Sequence, residues 1–205
     1  MKVLSRSEII SLLNQKDSGF VIRTFGPDFF VNGVSTDSRA IAKGSLFIPL
    51  VGERFDGHDF IETAFDSGAC AALTHREYND DKPVIKVRDT MLALQNLAGA
   101  YRRLFSPIMV AVTGSAGKTT TKEMTAAVIS SKFRTLKTKG NLNNEIGLPL
   151  TLLELDASHG AAVVEMGMSG FGEISGLSKL ALPDIAIITN IGQSHIEYLG
   201  SREGI

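Results

Sequence analysis

The stretch Val110-Ala111-Val112-Thr113-Gly114-Ser115-Ala116-Gly117-Lys118-Thr119-Thr120 decides the fold of the second half of this chain. An apolar run leads through a glycine-containing turn directly into a segment that begins a helix. This order is typical of a phosphate-binding loop, in which backbone N–H groups and the positive end of a helix dipole face an anion. The strict pattern has glycine where Val112 stands, so the stretch predicts a variant phosphate loop.

The residue types in this loop suit the binding of ATP with Mg2+. The Lys118 ammonium is predicted to contact the β- and γ-phosphates, and the Thr119 hydroxyl is predicted to bind Mg2+. A chance Gly-Lys-Thr sequence at a helix start is the alternative, and the flanking strand and helix favour the loop. The residues predicted to hold the nucleotide are Gly114, Ser115, Ala116, Gly117, Lys118, Thr119 and Thr120.

Strands and helices alternate from this loop onward, which predicts a mostly parallel, doubly wound sheet. Continuously apolar runs at 163–164 and 185–188 predict strands that are buried on both faces. The predicted strands are 108–112, 133–136, 161–165 and 185–189, and the predicted helices are 118–130, 146–153 and 172–180.

The residues before the loop are predicted to form a small α/β domain over 1–88 and a bridging helix over 89–105. Ser5 and Glu8 have the spacing of a capping box, which predicts a helix start. Short β-like runs follow, punctuated by glycine and proline. The bridging helix carries an apolar stripe at helical spacing. An incomplete phosphate-loop domain is then expected over 106–205.

Composition excludes several classes of protein. The 205 residues are 43% hydrophobic and 21% charged, with a net charge of -1, as is usual for globular proteins. Since no apolar run approaches the roughly 18 residues that span a bilayer, and no secretory signal pattern is present, we expect a cytoplasmic protein without a membrane span. Near-neutral charge argues against a nucleic-acid partner and favours a small molecule. The single cysteine, Cys70, excludes an internal disulfide.

Two further side chains are predicted to lie beside the phosphate loop. Glu165 closes the strand predicted at 161–165, and His195 follows the strand predicted at 185–189. Because parallel sheets bind ligands at the carboxyl ends of their strands, both side chains are expected near the loop. A carboxylate there can hold Mg2+ directly or through water. Taken alone, Glu165 could instead be a solvated carboxylate at a strand end, and His195 could instead be a surface histidine.

Three asparagines follow another predicted strand end, in the stretch Lys139-Gly140-Asn141-Leu142-Asn143-Asn144-Glu145-Ile146-Gly147. Turn and helix-cap chemistry could explain all three. Amide side chains can also donate to phosphate or to a developing oxyanion without adding charge. The residues alone leave both interpretations open.

Several motifs together resemble the Mur ligase family. In the second domain they are Thr113-Gly114-Ser115-Ala116-Gly117-Lys118-Thr119-Thr120, the asparagine stretch, Val164-Glu165-Met166-Gly167 and Asn190-Ile191-Gly192-Gln193-Ser194-His195. In the first they are Thr36-Asp37-Ser38-Arg39, Gly44-Ser45-Leu46-Phe47 and Arg54-Phe55-Asp56-Gly57-His58-Asp59-Phe60. The motifs of the first domain are similar to those in the amino-terminal domain of the family branch that adds D-alanyl-D-alanine to UDP-N-acetylmuramoyl-tripeptide.

The resemblance implies an ATP-dependent, amide-forming ligase of peptidoglycan precursor synthesis. ATP would phosphorylate the carboxylate of UDP-N-acetylmuramoyl-tripeptide, and the amine of D-alanyl-D-alanine would attack the acyl phosphate. The implied catalytic residues are Lys118, Glu165, His195, Asn143 and Asn144, and the implied Mg2+ ligands are Thr119, Glu165 and His195. The implied substrate-binding residues are Thr36, Ser38, Arg39 and Asn141.

Family members continue past the point where this sequence stops, through a carbamylated lysine and a third domain. We therefore expect a monomeric fragment with little or no turnover. Three alternatives remain open: a related Mur or folylpolyglutamate-type ligase, a nucleotide-binding module without turnover, and a phosphate-loop kinase.

Overall fold

The computed structural model describes residues 1–78 and 81–205. They fold into two compact units, Met1–Tyr101 and Arg102–Ile205. Within the described ranges, no helix combines the length and the apolar character that crossing a bilayer requires.

The first unit is an α/β unit built on one mixed sheet. Its elements are β1 (Leu4–Ser5), α1 (Arg6–Leu13), β2 (Val21–Phe25), β3 (Phe30–Val31), β4 (Gly33–Ser35), β5 (Ser45–Phe47), a 3-10 helix (Gly57–Phe60), α2 (Ile61–Asp66), β6 (Ala71–Thr74), β7 (Val84–Val87) and α3 (Thr90–Arg102). The main sheet has the order β2-β7-β6-β5-β4. Its β2 is antiparallel to β7, while the other neighbours are parallel. A separate antiparallel pair joins β1 to β3.

The capping box predicted at the start of α1 is confirmed. The Ser5 hydroxyl accepts from the Glu8 N–H across 3.3 Å, and Glu8 Oε2 accepts from the Ser5 N–H across 2.8 Å. Two N–H groups that have no acceptor inside the helix are thereby satisfied. The apolar side of α1 then buries Ile9, Leu12 and Leu13.

The second unit has the predicted parallel α/β architecture. Its elements are β8 (Ile108–Thr113), α4 (Lys118–Ser130), β9 (Thr135–Lys137), α5 (Gly147–Leu153), β10 (Ala161–Glu165), α6 (Glu173–Ala181), β11 (Ile185–Ile188) and α7 (Ile196–Leu199). The sheet order is β11-β8-β10-β9, and all its pairs are parallel. Because neighbouring strands are parallel, each strand connection has to cross over from one end of the sheet to the other, as in doubly wound sheets.

The two central strands carry the core of this unit. Every residue of β10 is buried, which confirms that this strand is covered on both faces. Val110 and Val163 are register partners, so their side chains lie on the same face of the sheet. Both pack with Val112 and with Ala126 of α4.

The prediction that residues 185–188 form a strand buried on both faces is wrong. Among the residues that the structure describes, β11 pairs with β8 alone and forms one edge of the sheet. Ile185 is 52% exposed and Ile188 is 62% exposed. Continuous apolar sequence predicts strand formation but does not distinguish a central strand from an edge strand.

Candidate functional site

The turn between β8 and α4 needs both of its glycines. Gly114 has a φ of 135° and Gly117 a φ of 78°, in the left-handed region that other residues rarely adopt. A Cβ atom on Gly114 would lie 2.1 Å from Thr189 Oγ1. The glycines therefore allow the chain to reverse tightly beneath the segment that follows β11.

Asn190 holds the first part of the loop. Its carbonyl oxygen accepts from the Ser115 N–H across 3.2 Å, and its Oδ1 accepts from the Ala116 N–H across 2.9 Å. Thr189 adds a bond from its hydroxyl to the Ala116 carbonyl at 2.6 Å. These contacts rigidify residues 114–116 and engage two of the amides that the sequence assigned to phosphate.

The start of α4 provides open N–H groups at the end of the loop. The Thr121 N–H donates to the Gly117 carbonyl, so the amides of Lys118, Thr119 and Thr120 have no acceptor inside the helix. These amides combine with the helix dipole to attract an anion. In this structure, the open amides of the predicted phosphate loop therefore lie at the start of α4.

Lys118 lies across the loop opening. Its ammonium donates to the Gly114 carbonyl across 2.7 Å. It lines a pocket of about 200 Å³ whose other walls include the apolar residues Ile174 and Ile191 and the polar residue Ser194. The pocket joins a cation to apolar surface, as a site for a nucleotide requires.

Glu165 lies where the sequence predicted it, at the carboxyl end of β10. Its register partner on β8 is Val112, which places it beside the loop. The residue is 2% exposed, and both oxygens of its carboxylate accept a hydrogen bond. Oε2 accepts from the Thr119 hydroxyl across 2.9 Å, and Oε1 accepts from the Asn143 amide across 2.8 Å.

This arrangement fits a magnesium ion. Mg2+ is a hard cation that binds one or two protein oxygens together with phosphate oxygens and water. The Thr119 hydroxyl oxygen and Glu165 Oε2 are already 2.9 Å apart, so a small rotation of either side chain would let both face one ion. Their position at the start of α4 also matches the predicted place of a nucleotide phosphate.

His195 belongs to the same pocket as Lys118. It is exposed and precedes α7 in the left-handed conformation, with a φ of 57°. A non-glycine residue in this region is uncommon and carries a conformational cost. The segment before it is fixed by the Ser194 hydroxyl, which donates to the Ser115 carbonyl across 3.1 Å.

The three asparagines have different environments. Asn143 bonds Glu165, and its carbonyl accepts from the Gly167 N–H across 2.8 Å. Asn144 Oδ1 accepts from the Gly147 N–H across 2.9 Å at the start of α5, which is the cap role that the sequence left open. Asn141 is exposed, and its carbonyl accepts from the Asn143 N–H.

The predicted substrate residues of the first unit form a turn after β4. Arg39 is 87% exposed and donates from Nε and Nη2 to both Asp37 oxygens, at 2.9 and 2.8 Å. The Arg39 side-chain bonds lower the pKa of Asp37 to about 2. Thr36 and Ser38 are half-buried in the same turn. The turn therefore presents a guanidinium held in a fixed orientation.

A histidine cluster also lies in the first unit. His58 Nδ1 is 2.6 Å from Asp56 Oδ1, and the His58 and His75 rings are 4.1 Å apart. Arg76 pairs with Asp56 and with Asp59. Burial lowers the pKa of His58, which favours the neutral imidazole. Since Asp56 is engaged by His58 and Arg76, we interpret the cluster as a network that fixes the turn before α2.

Two family models match the chain. A model described as "Mur ligase middle domain" matches residues 112–205, and one described as "Mur ligase family, catalytic domain" matches residues 30–104. The chain belongs to the Mur ligase family. The resemblance drawn from the phosphate loop, Glu165 and the asparagine stretch is thereby confirmed.

Named Mur ligases give the same assignment. UDP-N-acetylmuramoyl-tripeptide--D-alanyl-D-alanine ligase of Bacillus subtilis (strain 168) is 53% identical over 178 residues, which cover 85% of this chain and 39% of that protein. A crystal structure of MurF from Acinetobacter baumannii has a TM-score of 0.86 at 38% identity, covering 95% of this chain and 43% of that one. MurF ligase from Thermotoga maritima, solved in complex with ADP, has a TM-score of 0.78 at 38% identity. The match covers 85% of this chain and 41% of that chain. The chain spans about two fifths of these Mur ligases.

Sequence reasoning missed two residues that organise this Mur ligase site. Asn190 follows β11 at the same sheet edge as Glu165, which could have marked it as a loop partner. Lys122 lies three residues after Thr119 on α4 and is 1% exposed. Residues at this spacing share a helix face, so a lysine there signals a buried cation beneath the loop.

Proposed function

We propose that this chain is the UDP-substrate- and ATP-binding part of a ligase that joins D-alanyl-D-alanine to UDP-N-acetylmuramoyl-tripeptide through an acyl phosphate. The contact between Thr119 and Glu165 at the start of α4 carries the proposal, because it pairs a metal-binding hydroxyl with a carboxylate beside a phosphate loop. The 53% identity to the Bacillus subtilis ligase supports the choice of substrates.

The second unit would bind ATP. Lys118 and the amides at the start of α4 would orient the phosphates and stabilise the negative charge on the transferring group, which is the main protein contribution to phosphoryl transfer. Thr119 and Glu165 would hold Mg2+, with His195 contributing to a second ion. Bound Mg2+ would neutralise charge on the phosphate oxygens. Asn143 would keep Glu165 oriented and, with Asn144, would contact the phosphate or the muramoyl peptide.

The first unit would bind the UDP-linked substrate. Asp37 positions the Arg39 guanidinium through Nε and Nη2. The N–H groups of Arg39 that do not face Asp37 would donate to the oxygens of a diphosphate. Thr36 and Ser38 would add hydroxyl groups in the same turn. Asn141, which belongs to the second unit, is proposed separately as a residue that contacts substrate. The proposed place of action is the cytoplasm, where nucleotide-linked precursors and ATP are available. A monomer is a separate expectation.

Calorimetry with separate ligands tests the proposal. We expect ADP to bind in the presence of Mg2+ and UDP-N-acetylmuramoyl-tripeptide to bind independently, whereas a folate monoglutamate should not bind. Binding of the folate in place of the tripeptide nucleotide would favour the folylpolyglutamate-type alternative. Tracking the γ-phosphate of ATP adds a further check, because its transfer to a hydroxyl group would indicate a kinase.

A further inference from the structure

Lys122 is a buried cation beneath the phosphate loop. Its side chain is 1% exposed. The ammonium donates to the Thr138 carbonyl across 2.8 Å, pairs with Glu123 Oε1 at 2.9 Å and lies 4.0 Å from Glu165 Oε2. Lysine is almost never fully buried without partners, and burying its charge costs several kcal/mol unless those partners compensate. The three oxygens therefore account for its position.

Thr138 links this lysine to the elements that carry the site. While its carbonyl accepts from Lys122, its hydroxyl accepts from the Glu165 N–H across 2.9 Å, and this contact is also buried. Thr138 directly follows β9 and begins the loop that contains Asn143. Lys122 thus joins α4 to the strand end that carries Glu165 and to the loop that carries its amide partner.

Lys122 and Thr119 approach the same carboxylate oxygen. They are three residues apart on α4 and lie on one face of the helix. Thr119 Oγ1 is 2.9 Å and Lys122 Nζ 4.0 Å from Glu165 Oε2. Lys122 is buried beneath the loop, whereas Thr119 is exposed at the helix start. The ammonium therefore lies on the protein side of the carboxylate, at the outer distance of an ion pair, and the loop side remains for a ligand.

We propose that Lys122 is a positioning residue that presets Glu165 for the metal of a metal–nucleotide complex. The inference rests on the proposed function, because it assigns Glu165 a metal that arrives with ATP or ADP. Lys122 itself contacts neither the nucleotide nor the metal. Without it, the buried Glu165 carboxylate loses its nearby cation and the Thr138 carbonyl loses its donor, so both can move from the arrangement that a metal requires.

The test compares ADP affinity in Mg2+ and in EDTA by calorimetry. In the Lys122→Met variant, we expect the gain in affinity that Mg2+ provides to fall at least tenfold, while affinity in EDTA stays within twofold of the wild type. A merely structural role would lower both affinities together. Lys137→Met is the matched control, since Lys137 pairs with the same Glu123 but is 47% exposed. It should leave both affinities unchanged.

The remaining outcomes are also decisive. A folded Lys122→Met variant with the full gain from Mg2+ would overturn the inference. If that variant does not fold, Lys122→Gln replaces it, because glutamine keeps a donor for the Thr138 carbonyl without the charge. A Lys122→Gln variant in which Mg2+ raises ADP affinity as much as in the wild type would also overturn the inference. Failure of both variants to fold would show that the lysine serves the fold instead of the metal. Absence of ADP binding by the wild type would refute the proposed function itself.

Discussion

Thr119 donates its hydroxyl hydrogen to Glu165 Oε2 across 2.9 Å, although the two residues are 46 positions apart in the chain. This bond joins the start of α4 to the carboxyl end of β10. A hydroxyl and a carboxylate are thereby brought together beside three amides that have no acceptor inside their helix. We propose that the positive pole of α4 and the anionic Glu165 form a site in which a phosphate and a divalent cation would stabilise each other.

Lys118→Ala is expected to weaken ADP binding at least tenfold. The ammonium is the charged group of the loop, and a hydrogen bond to a charged group contributes about 1.5–3 kcal/mol, where 1.4 kcal/mol corresponds to a factor of about ten. Calorimetry measures the change. Lys132→Ala, an exposed lysine after α4, is the control and should bind ADP normally. Unaltered affinity in Lys118→Ala would exclude this loop as the phosphate site.

Glu165→Gln is expected to remove most of the effect of Mg2+ on ADP affinity. The amide has nearly the same shape as the carboxylate and can still accept from Thr119, but it is a much poorer ligand for Mg2+. Titrations with and without Mg2+ should therefore give similar dissociation constants in this variant. If the ADP affinity of the Glu165→Gln variant still rises with Mg2+ as much as that of the wild type, Glu165 does not hold the ion.

Gly114→Ala is expected to destabilise the second unit by about 1–3 kcal/mol, the usual cost of a strained backbone conformation. The added Cβ would meet Thr189 Oγ1 at 2.1 Å, and the φ of 135° is unfavourable for alanine. Urea unfolding measures the effect. ADP affinity should fall in parallel, since the turn cannot keep its shape.

Gly176→Ala is the control for Gly114→Ala, because it makes the same substitution elsewhere in the second unit. Gly176 lies inside α6, and a Cβ there would have nothing within 4 Å. Alanine in a helix interior is favoured over glycine by about 0.5–1 kcal/mol, so this variant should become more stable by that amount. Destabilisation of both variants to the same extent would contradict the steric argument for Gly114.

Glu8→Gln is expected to lower stability at neutral pH but not in acid. The Ser5 N–H and then the Lys2 ammonium lower the pKa of Glu8 from 4.5 to about 2. A lowered pKa means that the carboxylate stabilises the fold fully above pH 4.5 and loses this contribution as the pH falls towards 2. The expected difference at pH 7 is about 0.3–1 kcal/mol, typical of an anion at a helix N-terminus.

Urea unfolding of the wild type and Glu8→Gln at several pH values measures this dependence. The difference between the two proteins should shrink between pH 4.5 and 2, because glutamine does not titrate while it keeps an acceptor for the Ser5 N–H. A difference that stays constant over this window would mean that the charge of Glu8 contributes nothing to α1.

Local sequence patterns predicted the central elements of the second unit well. The ranges 118–130 and 161–165 coincide with α4 and β10. A helix that starts at a glycine turn leaves a strong signal, and so does an apolar run that ends in a single carboxylate. The approach of Thr119 to Glu165 also followed from the sequence, since parallel strands end at one sheet edge. The exposure of β11 did not, because it depends on sheet order, which no local pattern encodes.

The supporting contacts of the site were beyond sequence reasoning for the same reason. The bonds from Asn190 to the loop and from Lys122 to Thr138 join residues that are far apart in the chain. The sequence offers a place after a strand for Asn190 and a helix face shared with Thr119 for Lys122, but it does not identify the atoms that either residue contacts. Their roles become visible once the sheet order brings β8, β9, β10 and β11 side by side.

A crystal structure of this chain with ADP and Mg2+ tests the central claim most directly. The account predicts the β-phosphate within hydrogen-bonding distance of the Lys118 ammonium and of the first amides of α4, with Mg2+ held by the oxygens of Thr119 and Glu165. A nucleotide bound away from this loop, or a metal bound without either of these two oxygens, would contradict it.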